Sequence, residues 1–326
     1  MHLFPRHARR LLSAVCLLGS MTAAAACQSA SPDAVAAPHT DVSVPAERPA
    51  PPIPDPVPLS LGLDAYRPTD AEIGQISKAI NLLTDQCMQR YGYRYTAGPP
   101  LTAFGPASRT DLRYGIHDAK LAAERGYHPA GDAAVFKDEG EARRQASASM
   151  NETERLVLTG GYAGRPGASA GGSSSASVAG RELPKGGCLG EGTQRVTAGR
   201  PLVSDLVQDL NDAAYAKAEA DPKTVAAIGA WSTCMAQKGF AYAKPMDAPN
   251  DPRFSGPSST PVEISTALAD IDCRTQTNLI GIWYAAETAY QNALVEKNAT
   301  ALAAAKQAKD AALKQAAAVM GGTPAP

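Results

Sequence analysis

One nine-residue element occurs twice in the chain, as CMQRYGYRY at residues 87–95 and as CMAQKGFAY at residues 234–242. Both copies fit the pattern C-M-x-x-x-G-[YF]-x-Y, and both follow a stretch with helical spacing of apolar residues. Gly92 and Gly239 suit the C-terminal cap of a helix, where a positive φ angle is needed. Since the sequences around the two copies match poorly, we interpret the element as a shared structural device and not as a proven duplication.

A helical pattern leads into the first copy. The run Thr69-Asp70-Ala71-Glu72 is a capping box. Apolar residues then recur at spacings of three and four from Ile73 to Cys87, which predicts one helix with a buried face. The same kind of spacing predicts a second helix over residues 110–124.

The second half of the chain has helical patterns throughout. Asp221-Pro222 and Thr260-Pro261 each combine an N-cap residue with a proline at the first helical position. The pattern then continues to Met320, and we expect a bend near Gly281 or Asn298 because one straight helix of this length is unusual in a globular protein. The sequence therefore predicts an all-α fold with at most short β segments, built from disulfide-braced helical subdomains and a long C-terminal helical region.

The last part of that region, residues 297–320, is rich in alanine. Alanine is the strongest helix former, but its side chain provides only a weak apolar face. We therefore expect this segment to protrude from the body or to dock on a partner through its small-residue face.

The first 27 residues favour export with a lipid anchor. A positive region with three arginines precedes an apolar stretch over residues 11–26, which is too short to span a bilayer as a stable helix. It ends in Ala24-Ala25-Ala26-Cys27, which resembles the end of a bacterial lipoprotein signal, with cleavage before Cys27 and lipid on its thiol. Ala24 departs from the usual Leu, Val or Ile, and an ordinary secretory signal is the alternative because Ala24-x-Ala26 also fits that cleavage pattern.

Composition divides the chain into five parts. These are a signal peptide (1–26), a lipidated cysteine with a Pro-rich tether (27–60), a helical subdomain (61–159), a Gly/Ser-rich linker or loop (160–187) and a second helical subdomain with the long C-terminal helix (188–326). Seven prolines between Pro45 and Pro58 favour an extended polyproline II spacer.

The cysteines predict two disulfides. If Cys27 carries lipid, the mature chain keeps four more cysteines, an even number that is typical of disulfides in an oxidising compartment. Three pairings are possible, and we favour the one in which each repeat cysteine bonds the next cysteine along the chain. The favoured pairs are Cys87–Cys188 and Cys234–Cys273. Without a C-x-x-C motif the pattern argues against zinc, and we predict no metal site and no catalytic cysteine.

The aromatic residues of the repeat are candidates for a binding surface. They are Tyr91, Tyr93, Tyr95, Phe240 and Tyr242. Aromatic faces can stack on sugar rings, but packing beside the disulfides as part of the core is the favoured interpretation, because aromatic side chains dominate small cores.

Composition excludes several function classes. The chain has 31 basic and 32 acidic residues and no basic block that would follow a phosphate backbone, so we expect no nucleic-acid partner. No P-loop or complete G-x-G-x-x-G motif is present, and we predict no cofactor. His117 and His128 are separated by a break at Gly126, which favours surface or capping roles. No pair of carboxylates can be placed across a cleft from the sequence.

Several of these motifs together resemble a known group. The C-M-x-x-x-G-[YF] element, Arg113-Tyr114-Gly115, Asp118 and Gly126-Tyr127-His128 are similar to motifs in uncharacterised exported lipoproteins of high-GC Gram-positive bacteria. The likeness covers residues 64–130 and 220–290. It implies an exported lipoprotein and carries no assigned activity.

The sequence thus favours a non-enzymatic binding, scaffold or accessory protein on the outer face of the cytoplasmic membrane. Its expected partners are the membrane, through an N-terminal lipid, and a cell-wall component or membrane protein. A cell-wall-active hydrolase is the alternative. A transporter-associated solute-binding protein is a third reading, although the alternating strands and helices of a two-lobed α/β binder are missing from the pattern.

Overall fold

The protein is described here by a computed structural model that covers residues 38–97, 106–129, 150–161 and 177–322, with single positions between 138 and 149. The predicted signal peptide and Cys27 lie outside the described residues, as does the middle of the Gly/Ser-rich segment. The regular secondary structure of the described part is helical, apart from one short antiparallel hairpin. The predicted all-α fold with short β segments is therefore confirmed.

The connections between the helices differ widely in length, since one is the single residue Asn298 and another spans residues 238–260. The helices are α1 (Asp70–Gln89), α2 (Ala119–Arg125), α3 (Glu152–Thr159), α4 (Gly187–Thr197), α5 (Asp205–Glu219), α6 (Pro222–Gln237), α7 (Pro261–Gln276), α8 (Leu279–Lys297) and α9 (Ala299–Met320). Single 3-10 turns occupy Gly62–Tyr66 and Pro252–Phe254. The hairpin pairs β1 (Ser177–Val178) with β2 (Arg181–Glu182). Within the described ranges, no helix combines the length and the apolar character needed to cross a bilayer.

Side-chain caps start most of these helices where the sequence predicts them. The Thr69 side chain accepts a hydrogen bond from the amide of Glu72, whose own side chain accepts one from the Thr69 amide. Asp221 and Thr260 cap α6 and α7 directly before an N1 proline. The long C-terminal pattern is divided at Asn278, which has a left-handed φ of 50°, and again at Asn298. These two breaks lie close to the positions at which a bend is expected.

Both copies of the repeat end a helix in the same way. Gly92 and Gly239 have φ angles of 82° and 90°. The residue after each glycine donates its amide to the carbonyl of the repeat methionine, over 3.1 Å in the first copy and 2.9 Å in the second. This hydrogen bond closes a turn of six residues, which is typical of a Schellman cap. The repeat is therefore a helix-ending device that also places a cysteine in the last turn.

The two disulfides join Cys87 to Cys188 and Cys234 to Cys273, with Cα–Cα distances of 5.4 and 5.7 Å. This is the pairing that the sequence favours. The first links the end of α1 to the start of α4, and the second links the end of α6 to α7. Each repeat cysteine is thus tied to a neighbouring helix.

The described residues from 38 onward form one compact unit, whereas the sequence predicts two subdomains. The reason lies in α1, whose apolar face has its partners in the second half of the chain. Ile76, Ala79 and Leu83 pack against Val196 of α4 and against α9. A second cluster joins α5, α8, α9 and the turn at Leu63, and a third surrounds Trp231 and Trp283 of α6 and α8.

The C-terminal helix is part of the core, so the expectation that it protrudes or docks on a partner is wrong. Leu302, Ala312, Ala316 and Val319 are buried, with at most 8% of their surface exposed. Three of them face α1 and α4, while Leu302 packs with α5 and α8. Small alanine side chains let the helices approach closely, which the weak apolar pattern does not reveal.

The predicted tether also lies against the body over the part that is described. Residues 38–60 form no helix or strand, and they are held at several points. The backbone of His39 exchanges two hydrogen bonds of 3.0 Å with the Asn298 side chain. Arg48 forms a largely buried ion pair of 2.7 Å with Asp221. From residue 38 the segment is therefore a packed strap and not a free spacer.

Candidate functional site

The part of the chain that departs most from its local pattern is residues 106–129, here called the crossing segment. Helix is predicted from residue 110, but it begins only at Ala119, with the Asp118 carboxylate accepting hydrogen bonds from two amides of the first turn. The residues before it form turns, with a positive φ of 56° at Leu112. The crossing segment contacts α7 and α8, and three buried carboxylates of these helices meet its side chains and backbone.

The first of these carboxylates is Glu287 of α8, which is fully buried. Arg113 binds it through two nitrogens, with distances of 2.8 Å from Nε to Oε2 and 2.5 Å from Nη2 to Oε1. The Tyr114 hydroxyl donates to Oε2 at 2.9 Å, and Gln291 Nε2 donates to Oε1 at 2.9 Å. The guanidinium of Arg113 also lies over the Tyr215 ring, 4.9 Å from its centroid.

These contacts shift the titration of the groups around Glu287. Burial opposes the charge of Arg113, but its bonds to Glu287 outweigh that effect and raise its pKa. Burial, together with the adjacent Glu287 carboxylate, raises the pKa of Tyr114 far above its ordinary value. Burial and the neighbouring Glu219 raise the pKa of Tyr215 to about 12. These shifts keep Arg113 as a guanidinium and Tyr114 and Tyr215 as neutral phenols.

The second carboxylate is Asp270 of α7. It accepts hydrogen bonds from Trp231 Nε1 at 2.7 Å, from Arg274 Nε at 2.7 Å and from the Tyr127 hydroxyl at 3.1 Å. The Arg274 guanidinium continues to the backbone carbonyls of Tyr114 and Pro245. Burial and the carboxylate of Asp270 raise the pKa of Tyr127 well above its ordinary value.

Arg274 explains the glycine of the Arg113-Tyr114-Gly115 motif. A β-carbon on Gly115 would lie 2.2 Å from the guanidinium carbon of Arg274, and the φ angle of Gly115 is 106°. Both facts restrict the position to glycine. The crossing segment can therefore lie directly on the buried cation.

The third carboxylate is Glu263 of α7, which meets the Gly126-Tyr127-His128 motif. The Tyr127 amide donates to Glu263 Oε1 at 2.9 Å, and a β-carbon on Gly126 would lie 2.6 Å from the same oxygen. His128 Nε2 lies 3.4 Å from Glu263 Oε2, and neither of these two atoms has a hydrogen-bond partner in the described part. The two sequence motifs thus fasten the crossing segment to α7 and α8.

A pocket of about 160 Å³ lies beside this cluster, between the strap, the crossing segment and α7. Its apolar lining is formed by four isoleucines and two prolines: Ile53, Ile116, Ile271, Ile280, Pro52 and Pro54. His117 also lines it, with Nε2 2.9 Å from Asp111 Oδ1 and only 11% of its side chain exposed. Of the surface or capping role predicted for His117, the surface part is wrong.

The aromatic residues of the repeat are divided between two places. Tyr91, Tyr93 and Tyr95 pack on the cluster around Cys87 and Cys188, and the Tyr91 hydroxyl donates to the carbonyl of Glu182 at 2.6 Å. Phe240 and Tyr242 pack on the cluster around Trp231. All five are half-buried. Each set braces its own disulfide, as the favoured interpretation has it, and the structure does not bring the five together as one surface.

The structure also shows which residues the sequence did not single out. Glu263, Asp270 and Glu287 are scattered acids in the sequence, although Glu263 and Asp270, seven positions apart, fall on one helix face. Among the described residues, no group of histidine, cysteine and acidic side chains is placed to hold a metal ion. Searches against family models, curated proteins and solved structures found no match.

Proposed function

We propose that this chain is an exported lipoprotein that acts as a non-enzymatic binding or scaffold component at the outer face of the cytoplasmic membrane. The signal pattern and Cys27 support the address. The two disulfides, Cys87–Cys188 and Cys234–Cys273, also favour an oxidising compartment. The likeness to uncharacterised exported lipoproteins points to the same place.

One observation supports binding over hydrolysis. The buried carboxylates Glu287 and Asp270 each accept hydrogen bonds from at least three side chains of the fold itself. A glycoside hydrolase would need an acid and a base that reach a shared cleft. Here these acids hold the crossing segment in place, and beside them lies a mainly apolar pocket.

The address is tested by fractionation of cells that produce the protein with Cys27→Ala. We expect the lipid to be lost and the variant to appear in the medium or to accumulate unprocessed. Cys16→Ala is the matched control, because Cys16 lies inside the apolar signal stretch and should leave the protein on the membrane. A Cys27→Ala protein that is normally processed and still retained on the membrane would exclude the lipid anchor.

The binding role is tested by chemical crosslinking on intact cells, followed by purification from membranes. We expect a defined cell-wall or membrane-protein partner that is reduced when Cys27→Ala releases the protein. The alternative is tested with the purified protein and isolated cell wall. Release of soluble wall fragments would replace the binding role with the hydrolase.

A further inference from the structure

The two disulfides differ in how close their cysteines come to the protein surface. Cys87 and Cys188 are both fully buried. Cys273 is buried to the same extent, but Cys234 is partly exposed in the last turn of α6. Of the two bridges, only Cys234–Cys273 therefore has a cysteine at the surface.

The sulfur of Cys234 lies under exposed polar side chains. Its Sγ is 4.0 Å from Oε1 of Gln276, an exposed residue at the end of α7. The Nε2 of Gln276 donates to Asp272 at 2.9 Å, and Asp272 pairs with Lys238 at 2.6 Å, with side-chain exposures of 50% and 35%. Thiol–disulfide exchange requires a thiolate to reach one sulfur of the bridge. Because only hydrated surface side chains cover Sγ of Cys234, a thiolate can approach it without unfolding of the core.

The helices on either side of this bridge are also joined by other contacts. Trp231 Nε1 of α6 donates to the buried carboxylate of Asp270 on α7 at 2.7 Å. The ion pair of Lys238 with Asp272 joins the end of α6 to α7. Cys273 packs in the apolar cluster around Trp231. The two helices therefore stay adjacent when the bridge opens, and its two thiols remain placed to form it again.

We propose that Cys234–Cys273 is a reversible redox bridge that exchanges with an external dithiol, whereas Cys87–Cys188 is a fixed brace. One thiolate of the dithiol attacks Sγ of Cys234, a mixed disulfide forms there, and Cys273 leaves as a thiolate that takes up a proton. The second thiolate then attacks the dithiol's own sulfur in that mixed disulfide, and Cys234 leaves and is protonated. The dithiol is oxidised to a disulfide, and the protein gains two electrons and two protons as two thiols.

The test follows each bridge separately while the full, folded chain is reduced. Any free thiol is blocked first, dithiothreitol is added at neutral pH without denaturant, and timed samples are alkylated and mapped by mass spectrometry. We expect label at Cys234 and Cys273 at least ~10-fold sooner than at Cys87 and Cys188, because an opening that costs about 1.4 kcal/mol already slows exchange tenfold. The helical circular dichroism should stay unchanged during the first step.

Two results of this experiment would overturn the proposal. Equal rates for the two bridges would mean that both are reduced through the same opening of the fold. Reduction of neither bridge before the circular dichroism is lost would mean that the surface position of Cys234 gives a thiolate no access.

The attacked sulfur is identified with a monothiol. Glutathione has one thiol, so it forms the mixed disulfide and cannot complete the second step itself. After an acid quench, peptide mapping should find glutathione on Cys234 and a thiol at Cys273. Glutathione on Cys273 in place of Cys234 would contradict attack from the exposed side.

Charge beside the sulfur provides a matched pair of variants. Gln276→Glu adds a negative charge near Sγ of Cys234, which should slow attack by an anionic thiolate roughly 2- to 4-fold at low salt. Gln208→Glu is the control, because Gln208 is also exposed and also donates to a carboxylate one helical turn away, that of Asp212, at 2.9 Å. It lies on α5, which carries no cysteine, and should leave the rate unchanged. Equal slowing by both variants, or an unchanged rate in Gln276→Glu, would mean that the attack does not occur at Cys234.

Discussion

Gly160 and Gly187 touch backbone to backbone at the two ends of the Gly/Ser-rich segment. A β-carbon on Gly160 would lie 2.5 Å from the amide nitrogen of Gly187, and one on Gly187 would lie 2.4 Å from the amide nitrogen of Gly160. Both residues have positive φ angles, of 67° and 66°. The segment is therefore a loop closed at its base, and the chain enters and leaves it at the same place.

This contact predicts a strong effect of Gly160→Ala. A left-handed φ costs an alanine about 1 kcal/mol, and the overlap with Gly187 adds a further ~1 to 3 kcal/mol. Gly180→Ala is the control, because Gly180 also has a positive φ, of 73°, but open space around its β position. In urea unfolding, the free energy of unfolding should fall by about 1 kcal/mol for the control and by about 2 to 4 kcal/mol for Gly160→Ala. Equal losses would mean that the closure is not tight.

The packing of the C-terminal helix predicts different effects at neighbouring alanines. Ala316 is buried against α1 and α4, with 1% of its surface exposed, whereas Ala317 is exposed. Ala316→Leu should destabilise the protein by about 1 to 3 kcal/mol because it overfills the contact. Ala317→Leu should change the unfolding midpoint little, since leucine is a comparable helix former. A neutral Ala316→Leu would restore the expectation of a free C-terminal helix.

The ion pair beneath the crossing segment predicts a large cost for Glu287→Gln. The variant leaves Arg113 charged and mostly buried, with a side-chain exposure of 17%. Removal of one partner of a buried pair costs about 3 to 5 kcal/mol, and the partial exposure places this site near the lower end. Asp310→Asn, at an exposed pair with Lys306 on α9, is the control and should leave the unfolding curve unchanged. If both variants unfold like the parent protein, Glu287 does not hold the segment.

The buried tyrosines predict a loss of stability in alkali. The pKa of Tyr114 is raised in the folded protein, whereas an unfolded tyrosine titrates near pH ~10. Its contribution is therefore complete below pH 10 and is lost as the pH rises towards the folded value. Each such group contributes a slope of about 1.4 kcal/mol per pH unit above pH 10. Tyr114→Phe should lower the stability at pH 9, and it should reduce the slope above pH 10 by that amount. Tyr93→Phe, which lies in the Cys87 cluster, is the control, and an identical slope in the parent and Tyr114→Phe would contradict the prediction.

The disulfides predict a defined peptide map, and removal of a bridge should lower the free energy of unfolding. Digestion without reduction should link Cys87 to Cys188 and Cys234 to Cys273. The first bridge closes a loop of 101 residues, so Cys87→Ala together with Cys188→Ala should cost about 3 to 5 kcal/mol in the loop-closure account. A peptide joining Cys87 to Cys234, or free thiols at all four positions, would refute the pairing.

Local signals in the sequence predict most of the helices. The caps at Thr69, Asp221 and Thr260, and the glycines of the repeat, act within a few residues, so their meaning does not depend on the rest of the fold. The packing partners of α1 and α9 were not predictable in this way. An alanine-rich face looks weak by periodicity, and its burial depends on another helix that approaches closely enough to use it.

The site was predictable only in part. The motifs around Tyr114 and Tyr127 are visible in the sequence, but the carboxylates they meet lie far along the chain. Helix is wrongly predicted over residues 110–118 for the same reason, because the contacts that decide this segment are made with residues far along the chain. Arg113 and Tyr114 turn inward to reach Glu287, and this tertiary contact overrides the local helical pattern.

The packing of α1 against α9 also bears on the order in which parts of the fold can form during synthesis. The first long helix of the chain buries its face on α4 and on α9, so the packing of α1 stays incomplete until synthesis reaches residue 320. Contacts of such high sequence separation slow folding, because distant parts of the chain lose conformational entropy in meeting before their contact stabilises the fold. The packing of α1 is therefore completed only after α9 has been made, and until then part of its apolar face stays uncovered.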